Sequence, residues 1–103
     1  MAKCDIVDAG TGDDLVNGNL GNDCIMRGGG NDELLGWEGN DEIYGGNNDD
    51  DINGASENDC LDGAAGDDIC EGGDGTDWCD DSCEVKIGCE VNVTSCAGFG
   101  ICD

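Results

Sequence analysis

Apolar residues recur every nine positions between Ala9 and Asp80, with no insertion or deletion. Eight consecutive nine-residue units fill this segment, and the eighth place of each unit is apolar or cysteine: Val16, Ile25, Leu34, Ile43, Ile52, Leu61, Cys70 and Cys79. Counting back from the first unit places Asp5 and Val7 at the sixth and eighth places of a partial unit, residues 1–8. A short period of this kind is typical of a stacked coil.

Each unit divides into a turn and a strand. Glycine recurs at the first, second and fourth places, where its freedom to adopt positive φ predicts a tight turn. The last three places predict a short strand with the eighth residue inward and its neighbours outward. Because such a strand buries little alone, we expect successive units to alternate between two facing parallel sheets, with 18 residues per coil.

The sixth place is aspartate in every unit. Coils stacked about 4.8 Å apart bring carboxylates of units two apart close together, and these repel unless a cation intervenes. The chain offers 3 basic residues against 26 acidic ones, a net charge of −23. Carboxylates and turn carbonyls suit Ca²⁺ better than Mg²⁺ or Zn²⁺. The predicted metal ligands are Asp5, Asp14, Asp23, Asp32, Asp41, Asp50, Asp59, Asp68 and Asp77.

The unit resembles G-G-x-G-x-D-x-U-x, the calcium-binding RTX repeat of parallel β-rolls. The best matches are RGGGNDELL from Arg27, GWEGNDEIY from Gly36 and GGDGTDWCD from Gly72. The resemblance implies an all-β fold, a parallel β-roll with calcium-binding turns, and Ca²⁺ ions between the turns of neighbouring coils. Pairing units two apart from Asp5 to Asp77 predicts about seven ions.

Some turns depart from the pattern. Asn48 and Glu57 replace the fourth-place glycine, and Trp37, Asn19, Ala55 and Ala64 replace the second. Asparagine tolerates left-handed φ better than glutamate does. The turn at Glu57 is therefore reshaped or strained, or its carboxylate adds a metal ligand, and the sequence leaves these alternatives open.

The period fails after Asp80, so we predict a β-roll at 1–80 and a Cys-rich cap at 81–103 that covers the open end. CEVKI and CEVNV in this segment suit short strands. Nine cysteines in 103 residues favour a secreted, extracellular protein with disulfides. Zinc is disfavoured because the chain has no histidine and lacks paired C-x₂-C motifs.

The repeat phase narrows the disulfide pairing. We predict Cys70–Cys83, Cys79–Cys89 and Cys96–Cys102 in the cap. Cys24 and Cys60 lie two coils apart, about 9–10 Å, too far for one bridge. Cys4 can reach Cys24, which predicts Cys60 as the odd thiol, available for an intermolecular disulfide.

The outer faces of the two predicted sheets differ. One presents Ile6, Cys24, Met26, Tyr44, Cys60 and Trp78, and the other presents Leu15, Leu35 and Ile69 among polar residues. Scattered apolar residues are normal on a surface, but a one-sided stripe with Trp, Tyr and Met more often marks a contact surface.

These features favour a secreted, non-enzymatic, calcium-binding structural module that assembles with itself or with an extracellular surface partner. No histidine, Ser/His/Asp set or phosphate-binding loop supports catalysis. The charge disfavours nucleic acid, and no apolar run is long enough to span a membrane. The alternatives are a calcium-triggered folding and secretion module of a larger exoprotein, and an ice-binding roll. An ice-binding face of this kind wants a rank of Thr beside Asn, whereas here the third places vary and only the fifth-place rank of Asp, Asn and Thr is regular.

Overall fold

The computed structural model describes residues 5–8, 11–18, 20–26, 29–93 and 96. This part of the chain holds eleven strands, and a helix capable of crossing a membrane is not among its elements. The strands are β1 Asp5–Asp8, β2 Leu15–Asn17, β3 Asp23–Met26, β4 Glu33–Leu35, β5 Glu42–Tyr44, β6 Asp51–Asn53, β7 Cys60–Asp62, β8 Ile69–Glu71, β9 Trp78–Asp80, β10 Val85–Ile87 and β11 Val91–Val93.

The strands alternate between two parallel sheets, as predicted. One sheet has the order β1-β3-β5-β7-β9-β11, and the other has the order β10-β8-β6-β4-β2. Within the repeats, each residue pairs with the residue 18 positions away, for example Ile25 with Ile43 and Leu34 with Ile52. The predicted all-β parallel roll is therefore confirmed.

The eighth-place side chains fill the space between the sheets. All eight are buried and pack in one cluster together with Cys83, and Leu34, Ile43 and Ile52 are fully inaccessible. Each coil thus contributes two inward side chains, one from each sheet. The predicted inward phase is confirmed at every unit.

The segment after Asp80 continues both sheets with shorter turns. Val85 pairs with Ile69 and Val91 pairs with Trp78, offsets of 16 and 13 residues where the repeats have 18. CEVKI and CEVNV form β10 and β11, as predicted. Because each coil in this segment has fewer residues, the roll tapers at its C-terminal end.

Disulfides tie this segment to the last repeats. Cys70 is bonded to Cys83 and Cys79 to Cys89, which confirms two predicted pairs. The predicted Cys96–Cys102 pair is wrong, because Cys96 is bonded to Cys60 with a Cα–Cα distance of 5.8 Å.

Cys60 is therefore not the odd thiol, and an intermolecular disulfide through Cys60 is excluded in this structure. Cys24 is also disulfide-bonded. Cys4 and Cys102 lie outside the described residues, so the predicted pairing of Cys4 with Cys24 stays a prediction.

The outer face of the six-stranded sheet is less exposed than the sequence predicts. Cys24, Glu42 and Cys60 follow one another at the seventh place of β3, β5 and β7, and each is at most 2% exposed. Strand alternation points them outward, but the bond from Cys60 to Cys96 places the buried Cys96 against this face. Met26 remains 37% exposed, and Tyr44 and Trp78 are half-buried.

Candidate metal centre

The sixth-place aspartates stand in two columns at the edges where the strands begin. Column A precedes the strands of the six-stranded sheet and comprises Asp5, Asp23, Asp41, Asp59 and Asp77. Column B precedes the other sheet and comprises Asp14, Asp32, Asp50 and Asp68. The backbone register places Asp5 opposite Asp23, but its side chain lies outside the described part. From Asp23 to Asp77 every sixth-place aspartate is buried, at most 3% exposed.

In six of these aspartates, one carboxylate oxygen accepts a backbone hydrogen bond from the preceding coil. Asp23 donates its backbone N–H to Oδ1 of Asp41 at 2.8 Å, and Asp41 donates in turn to Oδ1 of Asp59 at 2.8 Å. The same bond repeats from Asp59 to Asp77 in column A, and column B repeats it from Asp14 through Asp68. These bonds hold six carboxylates in one orientation along the stack, those of Asp32, Asp41, Asp50, Asp59, Asp68 and Asp77.

The other carboxylate oxygen has no donor. The buried Oδ2 atoms accept no hydrogen bond from any described residue in Asp14, Asp32, Asp41, Asp50, Asp59, Asp68 and Asp77. A buried carboxylate oxygen without a donor is costly unless it binds a proton or a cation. The columns are therefore incomplete as a protein-only structure.

The first-place glycines leave a cradle beside these oxygens. A Cβ built on Gly36 would lie 2.5 Å from Oδ2 of Asp41 and 3.0 Å from the carbonyl oxygen of Gly54. Gly18 and Gly45 have the same surroundings, each with its own unit's aspartate and a glycine carbonyl of the next coil. Only a residue without Cβ lets a carboxylate oxygen and a carbonyl oxygen from different coils approach one another here.

Burial raises the pKa of five column carboxyls, and repulsion from neighbouring carboxylates raises it further. The pKa of Asp41 is raised to about 8 and that of Asp59 to about 9. The pKa values of Asp50 and Asp77 are raised to about 6, and the pKa of Asp68 is raised to about 7. Backbone hydrogen bonds act in the opposite direction but are outweighed. Without a cation, the middle of column A therefore holds protons at neutral pH.

A second set of hydrogen bonds joins the turns in the opposite direction. Asn40 donates its backbone N–H to Oδ1 of Asn22 at 2.8 Å, and Asn58 donates to Oδ1 of Asn40 at 2.9 Å. On the other edge, Asp49 donates to Asn31 and Asp67 donates to Asp49. Fifth-place side chains thus reach forward while sixth-place side chains reach back, so each turn is held from both sides.

The departures from glycine do not reshape the turns. Trp37, Ala55 and Ala64 at the second place and Asn48 and Glu57 at the fourth all adopt left-handed φ between 62° and 74°. Glu57 keeps the turn at φ 71° and accepts a hydrogen bond from the backbone N–H of Gly39 at 2.8 Å. The strained alternative for Glu57 is therefore correct for its backbone, and whether it also ligates a metal stays open.

Two glutamates that the sequence analysis missed end the columns. Glu84 Oε1 accepts the backbone N–H of Asp68 at 2.9 Å, and Glu90 Oε1 accepts that of Asp77 at 3.0 Å. They take the position that the aspartate of the next coil takes in the repeats. The signal was present as the tripeptide Cys-Glu-Val, which occurs at residues 83–85 and again at 89–91.

The five-stranded sheet also carries an acidic groove of about 550 Å³ along its column. Its lining includes the exposed fifth-place Asp13, Asp49 and Asp67 beside the column residues. The corresponding fifth places on the other edge are Asn22, Asn40, Asn58 and Thr76, which are uncharged. The fifth-place rank therefore carries negative charge along column B and none along column A.

The donor set fits a hard cation. No three carboxylate or thiolate side chains converge on one point within the described ranges, so an ion between coils would combine sixth-place carboxylates with turn carbonyls. All seven described cysteines are in disulfides, which removes them as thiolate ligands for zinc. Oxygen-only ligation with several carbonyls is the environment that Ca²⁺ prefers. The structure brings the predicted aspartates together, while their ligation of calcium stays a prediction.

Comparison with known proteins agrees with this geometry. A family model of the RTX calcium-binding nonapeptide repeat, in four copies, matches residues 5–34, 28–59 and 44–79. Searches of curated proteins and of solved structures found no match. The matched segments together cover most of the chain and coincide with the stacked coils. The chain therefore belongs to the RTX calcium-binding nonapeptide repeat family.

Proposed function

We propose that this protein is an extracellular, non-enzymatic structural module whose fold is completed by calcium. The observation that supports the proposal is the pair of buried carboxylate columns, in which seven aspartates have an Oδ2 atom without a donor among the described residues. Family membership supports calcium as the ion, because these repeats bind Ca²⁺.

Calcium acts here on charge and on order. Each ion adds two positive charges to a chain of net charge −23, and it joins the turns of two coils that otherwise repel. The Oδ2 atoms that accept no hydrogen bond from a described residue hold the ions, and first-place glycine carbonyls complete the sites; these atoms belong to Asp14, Asp32, Asp41, Asp50, Asp59, Asp68 and Asp77. About seven ions, one for each pair of stacked aspartates, satisfy both columns of the repeats.

An extracellular location agrees with both stabilisers. Disulfides persist in oxidising compartments and are rare in the cytosol, and calcium is plentiful enough outside cells to occupy even weak sites. Three of the four disulfides that involve described cysteines join the repeats to the segment 81–103, and the fourth includes Cys24 of the repeats.

Circular dichroism tests the proposal directly. With disulfides intact, the protein in excess chelator at pH 7 should lack most of its β signal and regain it on addition of millimolar Ca²⁺. Mg²⁺ at the same concentration is the control and should restore much less, because it demands a smaller octahedral site. Full β structure in chelator would show that calcium is not the main stabiliser.

Assembly with other copies or with a surface partner stays a prediction, and it no longer includes Cys60. The half-buried Tyr44 and Trp78 and the exposed Met26 form the reduced apolar surface on the six-stranded sheet. Light scattering in calcium over a range of protein concentrations tests self-association, and a monomer throughout would contradict it.

Ice binding is the second candidate, favoured by the fifth-place side chains that hydrogen bonds hold at a constant repeat along each edge. A thermal hysteresis assay with and without calcium distinguishes it from a purely structural role. A role as the folding and secretion module of a larger exoprotein also stays a prediction.

A further inference from the structure

The C-terminal segment ends the two columns with carboxylates of its own. In the repeats, the carboxylate that receives an aspartate N–H always comes from the aspartate 18 residues later. For Asp68 that group is Glu84, 16 residues later, and for Asp77 it is Glu90, 13 residues later. The bond lengths of 2.9 and 3.0 Å are close to the 2.8–2.9 Å of the bonds within the columns.

The shortened turns explain why glutamate occupies these positions. The turn between β9 and β10 has four residues and the turn between β10 and β11 has three, where the repeats use six. A shorter turn moves the backbone away from the column, and the extra methylene of glutamate restores the reach. The preceding Cys83 and Cys89 point to the core, where each is bonded to an inward cysteine.

The aspartates that face these glutamates are as incomplete as those inside the columns. Asp68 and Asp77 are fully buried, and their Oδ2 atoms accept no hydrogen bond from any residue in the described part. The cradle is also preserved at the last repeat: a Cβ on Gly72 would lie 2.5 Å from Oδ2 of Asp77 and 2.6 Å from the carbonyl oxygen of Gly88. Gly88 thus replaces the first-place glycine of a further coil.

We propose that Glu84 and Glu90 are calcium ligands, so that the C-terminal segment adds one ion site to each column. One site lies between Asp68 and Glu84, and the other lies between Asp77 and Glu90. This inference rests on calcium binding by the columns. Both glutamates are solvent-exposed, so these two sites are the weakest and the fastest to exchange.

Substitution by glutamine separates ligation from hydrogen bonding. Gln keeps an oxygen that accepts the aspartate N–H, but it removes the charged ligand. We compare Glu84→Gln, Glu90→Gln and the double variant with Glu71→Gln, a matched control that removes one charge from an exposed position on β8. Bound calcium is counted by equilibrium dialysis and elemental analysis, and circular dichroism verifies the fold.

At the lowest calcium concentration that saturates the wild type, each single variant should bind one ion fewer and the double variant two fewer, with unchanged β signal. Glu71→Gln should match the wild type. If the double variant does not fold, the two single variants still decide the question. Binding by the glutamine variants equal to that of Glu71→Gln would overturn the inference and leave calcium binding by the repeats intact. A wild type that binds no calcium would overturn the proposed function as well.

Discussion

Replacing Asp59 by Asn should change stability with opposite sign in the absence and presence of calcium. Asp59 lies in the middle of column A, is fully buried, and accepts the backbone N–H of Asp41 through Oδ1 at 2.8 Å. Asparagine has nearly the same shape and keeps that acceptor. The substitution therefore tests the charge alone.

Without calcium, the charge of Asp59 opposes folding. Its pKa is raised from 3.8 to about 9, first by burial and then by repulsion from Asp41 and Asp77. The folded state thus binds a proton that the unfolded state releases, so the contribution of this group is present below pH 4 and is lost as pH rises towards 9. At pH 7 the loss is at most roughly 4 kcal/mol, from about 1.4 kcal/mol per pH unit. Asp59→Asn removes it.

With calcium, the same substitution removes a ligand. Asp59 lies between two proposed sites, one shared with Asp41 and one shared with Asp77. A tenfold weaker affinity at each site lowers stability by about 1.4 kcal/mol per ion, or roughly 3 kcal/mol in total when calcium is saturating.

The assay follows the folded fraction by circular dichroism, with disulfides intact. In chelator, the variant should remain folded to higher pH than the wild type between pH 4 and 9. In saturating calcium at pH 7, it should unfold at lower urea concentration. Asp67→Asn, at an exposed fifth place outside the columns, is the control and should shift both measurements only slightly. A change of the same sign in both conditions would refute the reasoning.

Three further predictions concern the turns, the protons and the disulfides. Gly66→Ala should lower stability by more than about 2 kcal/mol in a melt of the calcium-loaded protein, because the new Cβ overlaps the carbonyl oxygen of Asn48. The control is Gly12→Ala, which has a similar φ but no atom close to the new Cβ, and it should lower stability by only about 1 kcal/mol. Calcium titration at pH 5, where the raised pKa values keep five column carboxyls protonated in the folded protein, should release about five protons per chain, seen as buffer-dependent heats; equal heats in all buffers at pH 5 would contradict the raised pKa values. Replacing both cysteines of the Cys60–Cys96 disulfide should lower the free energy of unfolding by about 4 kcal/mol, against about 3 kcal/mol for the Cys79–Cys89 disulfide. The reason is that the two bonds close loops of sequence separation 36 and 10. Urea melts in calcium measure both losses, and the reverse order would contradict loop closure as the cause.

The repeat phase carries nearly all of the predictable structure. A residue such as Ile43 has an inward environment because the nine-residue period fixes its strand, its sheet and its neighbours 18 residues away. The same period aligns the sixth-place aspartates, so the columns follow from the sequence before any coordinate is known. Left-handed φ at Ala55 and Glu57 shows that the stack imposes the turn even on residues that disfavour it.

What the phase cannot supply is the environment beyond the periodic segment. The phase predicts the outward direction of Cys60, but its burial accompanies the bond to Cys96, and no period determines that partner. Glu84 was missed for a related reason. Its place in column B depends on a turn two residues shorter than those of the repeats. The nine-residue period instead puts Lys86 at the sixth place of the next unit.

In the proposed function, calcium and disulfides compensate for the small hydrophobic core in different parts of the roll. A coil buries only two inward side chains, so hydrophobic packing alone is weak for a chain of 103 residues. In the middle of the stack the inward residues are Leu or Ile, and the turns around them carry the buried carboxylates that we propose to bind calcium. Towards the C-terminus the inward residues are Cys70 and Cys79. They are bonded to Cys83 and Cys89, which lie in turns of the next coil. In each Cys-Glu pair of this segment, the cysteine is bonded to an inward cysteine of the core and the adjacent glutamate ends a carboxylate column. The last coils therefore keep a covalent link that loss of calcium does not break.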